Sequence, residues 1–185
     1  MSRVFPELVE REELRLAAAL LAVAQPLPEA PGGLAALLAA VANPWRRFVA
    51  AVAALADVPV VVAGRILDRA EAGSGWQPGL LPGMKLFHID GGPATAGADV
   101  GLVQLAPNAV HPPHEHLGAE EVFVLAGEYL DSAGHVMREG DRELRGVGEA
   151  HSFTAGPRGV TLAVVLREGI AIVNPDGGPP IIYRG

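Results

Sequence analysis

The chain has 185 residues, half of them hydrophobic, with a formal net charge of -7 and no cysteine. That is enough apolar material for a packed core, and it argues against disorder. The acidic balance argues against DNA, RNA or a membrane surface as direct partners, and the missing cysteine excludes disulfides, thiolate nucleophiles and thiolate metal sites.

Met1 to Glu7 lacks a basic patch followed by an apolar run, so no signal peptide is expected and a cytoplasmic location is. Residues 1–71 read as a helical domain. Pro6 suits a first helical turn, with Glu7 and Glu10 near the positive end of the helix dipole. Leu8, Leu14, Ala17 and Leu21 then recur at helical spacing. Gln25 to Gly33, rich in proline and glycine, is a break, and a second helix is expected from Leu34 to Ala42. Asn43-Pro44 makes a cap and first-turn pair for a third helix, on which Trp45, Phe48, Val49, Val52 and Leu55 form one stripe. That stripe is either helix core or a partner groove. Arg46 and Arg47 read as a solvated face. Asp57 is expected to cap a fourth helix ending near Glu71. The apolar run from Phe48 to Ala63 is interrupted by Asp57 and Pro59 and falls short of the ~20 residues a bilayer requires.

Residues 72–83, crowded with glycine and proline, read as a linker or long loop. From residue 84 to 185 the period changes. Short apolar or alternating runs at 84–89, 100–105, 120–130, 136–138, 143–145, 151–154, 160–167, 170–173 and 181–183 are separated mostly by Gly, Pro, Asp or Asn. Such spacing predicts a β-sandwich or barrel, so the fold class is α+β with the helices first.

The candidate chemistry lies in His111-Pro112-Pro113-His114-Glu115-His116. The prolines bias the residues before them towards extended backbone. In an extended segment His114 and His116 share a face. The bend at Leu117-Gly118-Ala119 lets Glu120 or Glu121 return as a carboxylate donor, and His151 follows the turn Gly146-Val147-Gly148. Three imidazoles and a carboxylate suit zinc, iron, manganese, nickel or copper.

Two spacings carry a resemblance. Asn108, five residues, His114-Glu115-His116, three residues, Glu120, six residues and Gly127 resemble the first motif of the cupin superfamily, with Asn in place of its leading glycine. Gly140, five residues, Gly146-Val147-Gly148, two residues and His151 resemble the second, with Gly146 for proline and Ala155 for asparagine. The resemblance implies a jelly-roll barrel with His114, His116, Glu120 and His151 as metal ligands, and it selects Glu120 over Glu121, which should face the other way in a strand. Pro112 to Tyr129, followed by the Asp131-Ser132-Ala133-Gly134 turn, is similar to the C-terminal cupin of ChrR-type anti-sigma factors. This implies zinc first, with iron, manganese or nickel as alternatives, a sigma factor as the partner of the helical domain, a small-molecule ligand in the barrel, and a homodimer. In that family the helical domain carries its own His and Cys zinc cluster, which this chain cannot have: it has no cysteine and no histidine before His88.

Three functions compete at this point: a regulatory metalloprotein of anti-sigma layout, a metal-dependent dioxygenase of small organic molecules, and a binding module whose ion only holds the barrel together. Of the remaining residues, His111 reads as a solvent-facing loop residue, with the mouth of the site as the alternative. His88 reads as a satisfied structural histidine and His135 as a local or water-bonded one. Tyr129 reads as core, and Phe153, sharing parity with His151, as core or cavity wall.

Overall fold

A computed structural model describes residues 43–174 and 176–184. All of them lie within one compact unit, Ala40–Gly185. The first two expected helices, before residue 43, lie outside the described residues.

Asn43 caps the first described element as expected: its side-chain oxygen accepts from Trp45 N–H at 3.0 Å, and Pro44 occupies the first turn. The element opens as a 3-10 helix, Pro44–Phe48, and continues as α1, Val49–Ala56. Helix α2 runs Val60–Glu71, ending where the sequence reading placed it. Asp57 does not cap α2. It terminates α1 in the left-handed conformation (φ 55), and its carboxylate accepts from Ala94 N–H at 2.7 Å. Pro59 stands at the N-cap of α2 instead, because Pro59 has no N–H and fixes the entry angle. Among the described residues no single helix is long and apolar enough to cross a membrane; the two helical stretches are bent by 118° at the break between them. Arg46 clamps the bend by a bidentate pair to Asp68, so it is not merely a solvated residue. Arg47 pairs with Glu139 and lies over the Phe48 ring.

The strands are β1 (Gln77–Pro78), β2 (Met84–His88), β3 (Ala98–Leu105), β4 (Val110–His116), β5 (Glu120–Asp131), β6 (Val136–Arg138), β7 (Arg142–Arg145), β8 (Ala150–Arg167), β9 (Ile170–Ile172) and β10 (Ile181–Tyr183). Every pairing is antiparallel, in the order β1-β2-β3-β8-β4-β9-β10, with β5 on β8 and β6 and β7 on β5. This curled antiparallel sheet agrees with the barrel that the strand spacing predicted and with the jelly roll that the motif resemblance implied.

Two runs expected as separate strands, 151–154 and 160–167, are one strand, β8. It pairs with β4 through its first residues, with β3 through its last, and with β5 along most of its length. The ladder with β5 is interrupted by bulges around Ala126 and between Gly127 and Tyr129. Gly127, the last glycine of the first motif, sits there at φ 75, and a side chain on it would run into the carbonyl oxygen of Gly159. Such a bulge bends and twists the ribbon, which lets one strand serve both sides of the barrel. Asn108 adopts φ 59, so asparagine does supply the left-handed conformation that the motif's leading glycine supplies elsewhere.

Alternation along β5 and β8 divides the core in two. Val122, Val124, Leu162, Val164 and Leu166 fill the barrel. Phe123, Leu125, Ala163 and Val165 face out and meet Val52, Leu55, Ala63 and Leu67 of the helices. The Trp45–Leu55 stripe is therefore helix core, with Phe48 edge-on to Phe123 at 5.1 Å between centroids. Each fully buried Val or Leu contributes about 1.5–3 kcal/mol, which is why β8 reads as an unbroken apolar run rather than an alternating one. Residues 72–83 include β1, and Trp76 packs on Phe87.

Candidate metal centre

Strand β4 delivers three histidines to the barrel interior. His114 and His116 point inward two residues apart, as extended backbone requires. His111 points inward too: it is buried, stacked on Phe153 at 5.0 Å and edge-on to His114 at 4.3 Å. Its expected place as a solvent-facing loop residue is thus corrected. Opposite β8, three residues from His111 to His114 span two from Phe153 to His151. The extra residue is a bulge at Pro112-Pro113 that returns His111 to the inner face. His151 lies directly across from His114 in the ladder. Phe153 forms cavity wall, as its parity with His151 indicated.

The rings of His114, His116 and His151 stand 4.5–5.1 Å apart between centroids. One ligand atom of each lies within 4.8 Å of the others. Glu120 shares strand parity with Val122 and lines the same cavity, with one oxygen 3.8 Å from His116 Nδ1. It stands outside the tight group of three. Glu121 turns away and pairs with Arg142. His88 is exposed, 3.3 Å from Asp99, and His135 is exposed after the β5–β6 turn; neither joins the cluster.

The hydrogen bonding singles out which nitrogens are free. His114 Nδ1 is 3.0 Å from the Pro112 carbonyl, and His151 Nδ1 is 2.8 Å from Asp131 Oδ2. A carbonyl or carboxylate can only accept, so those nitrogens carry the protons and each Nε2 keeps a lone pair. His151 Nε2 and both ring nitrogens of His116 are buried without a hydrogen-bond partner. Orphaned buried nitrogens on converging rings are what a cation would satisfy.

Electrostatics point the same way. Burial lowers His114 and His116 to about 4, helped by mutual repulsion among the rings. Burial, then the neighbouring His114, lowers His111 to about 3. At neutral pH the rings are uncharged and available as donors. Burial, then the charge of Glu143, raises Glu120 to about 7.

Sequence reasoning missed the residues behind the ring cluster. Tyr129 O–H donates to Glu143 at 2.7 Å, Arg145 donates to Glu143 at 2.6 Å and to Asp131 at 2.8 Å, and Asp131 accepts from His151. Tyr129 is not only core. Glu143 and Arg145 alternate along β7, so their shared face was readable in principle. Asp131 read only as a turn residue.

The ChrR cupin-like domain family matches residues 70–169, more than half of the chain. The chain belongs to that family. Among solved structures, a candidate acetylacetone dioxygenase of Methylibium petroleiphilum PM1 is 17% identical with a TM-score of 0.51, covering 60% of this chain and 82% of that one. An acetylacetone dioxygenase from Acinetobacter johnsonii is 14% identical at a TM-score of 0.49, covering 59% and 80%. The Rhodobacter sphaeroides complex of SigE with the anti-sigma ChrR is 20% identical at 0.49, covering 82% and 75%. At 17% identity the first of these likenesses speaks to the fold alone. No curated protein matches it.

Proposed function

We propose that this ChrR cupin-like chain is a metal-binding regulatory protein. In this reading His114, His116, Glu120 and His151 hold one divalent ion, zinc first, with iron, manganese or nickel as alternatives. The observation that carries it is the set of buried, unpartnered nitrogens on His116 and His151, clustered with His114, with burial lowering His114 and His116 to about 4. Family membership supports the regulatory reading; a sigma factor contacted through the helical region before residue 72, a homodimeric state and a cytoplasmic location are parts of the same proposal.

A second reading is an iron or manganese dioxygenase. What favours it is a largely apolar cavity of about 100 Å³ that reaches His114, Glu120 and His151 and has room for a small organic ligand.

The experiment is metal content by mass spectrometry on protein purified without chelator or nickel affinity, beside a His114→Ala/His151→Ala double variant. About one zinc per chain, lost in the variant, supports the regulatory site, and a sigma-factor pull-down then tests the partner. Iron or manganese at that ratio, with oxygen uptake on a diketone, thiol or phenol, moves the assignment to the oxygenase. A metal-free native chain overturns both.

A further inference from the structure

Asp131 ends β5 and opens the turn into β6, and its two carboxylate oxygens do different work. Oδ1 accepts from Ala133 N–H at 2.6 Å, which shapes the turn. Oδ2 faces His151 Nδ1 and Arg145 Nη2, each at 2.8 Å. The side chain is almost wholly enclosed, at 1% exposure, so water cannot substitute for these partners. The same Arg145 nitrogen donates to Glu143, whose other oxygen accepts from Tyr129. Arg145 is therefore itself held from two sides and cannot swing away from Asp131 without breaking the Glu143 pair.

Every partner of Asp131 in this set is a donor. A carboxylate satisfies that demand because it only accepts. We propose that Asp131, held in place by Arg145, is a positioning residue that fixes His151 as its Nδ1–H tautomer and so makes Nε2 the metal-donating atom. The inference rests on the reading of His151 as a ligand. It yields a sharp contrast with asparagine, which is the same size. In one orientation its amide would aim N–H at His151 and Arg145; in the other it would aim N–H at the Ala133 N–H. With the first, His151 must turn a bare Nδ1 to the amide and carry its proton on Nε2, where the ion would bind.

The test has two arms. In chelator-treated wild type, nitrogen NMR of His151 is expected to show a protonated Nδ1 and a bare Nε2. In Asp131→Asn the pattern reverses where the amide N–H faces His151 and is kept where the amide oxygen does. Where it reverses, competition against a chromophoric chelator shows zinc binding weakened roughly 10–100-fold, with far-UV circular dichroism unchanged. Arg145→Met weakens zinc in the same direction. An Nε2–H tautomer in the wild type, an Asp131→Asn variant that has switched tautomer yet binds zinc within about twofold of wild type, or one that keeps the Nδ1–H tautomer yet loses affinity about 10-fold or more, overturns the proposal. If Asp131→Asn does not fold, the wild-type tautomer decides. If the wild type takes up no metal, the ligand reading fails separately, while the tautomer still tests the role of Asp131.

Discussion

The ion-free chain should show a pH dependence whose size follows from four groups. The ordinary values are 6.5 for His111, His114 and His116, which burial lowers to about 3, 4 and 4. A histidine lowered on folding contributes stability that is present above pH 6.5 and is lost as the pH falls towards the folded value, because the unfolded chain takes up the proton first. Glu120 runs the other way: its ordinary value is 4.5 and its folded value about 7, so its contribution is present below pH 4.5 and is lost as the pH rises through 7. From pH 6.5 to 5.5 each histidine costs about 1 kcal/mol and Glu120 returns about 1.2 kcal/mol, a net loss of about 2 kcal/mol. From pH 7.5 to 6.5 the two effects nearly offset each other, leaving a loss of about 0.4 kcal/mol.

The assay is urea unfolding of chelated protein at pH 7.5, 6.5 and 5.5. The expected result is near-constant stability over the first step and a drop over the second that is a large share of the ~5–15 kcal/mol a domain possesses. Stability that is flat or rising between pH 6.5 and 5.5 would refute the reasoning, because it would mean that the rings hold protons, or water, inside the folded barrel. With metal present the acid loss becomes steeper, since protons then compete with the ion for the same nitrogens.

Gly127→Ala places a side chain at φ 75 against the Gly159 carbonyl; thermal or urea unfolding should show a loss of at least about 1–3 kcal/mol, and a neutral result would mean the bulge relaxes freely. His116→Leu removes two orphaned nitrogens from a site with no solvent access; chelated protein should gain about 1–3 kcal/mol in unfolding stability while losing metal uptake, and a destabilised variant would indicate that His116 has a polar partner in the fold.

Much of this was legible in the sequence because periodicity reports burial. The inward set of β5 and the helix stripe follow from alternation and from 3.6-residue spacing. The cap Asn43-Pro44 follows from local chemistry, and Asn108 from its tolerance of positive φ. What escaped was long-range or parity-breaking. A bulge at Pro112-Pro113 shifts His111 to the inner face, and no local rule announces a bulge there. β8 looked like two strands because Gly156, Pro157 and Gly159 read as a break, yet the ladder with β5 resumes at Val160. Asp57 carried a helix-cap signal, but a following proline moved the start of α2 beyond it. Asp131 and Arg145 are 14 residues apart in the chain, and only the return of β7 alongside β5 brings them together.

The site also explains where the sequence departs from what stability alone would select. An apolar barrel interior is the stable solution, and Val122, Val124, Leu162 and Val164 supply it. Against that wall the chain sets His116 at zero exposure with both nitrogens unpaired, and encloses Asp131 beneath His151. An unsatisfied buried polar atom costs about 1–3 kcal/mol, and a buried carboxylate costs more unless it is paired. Asp131 is paired, through Arg145 and His151; His116 is not. A fold that satisfies the outer members of a polar network and leaves the inner nitrogens without partners presents three buried histidines that could bind a metal ion.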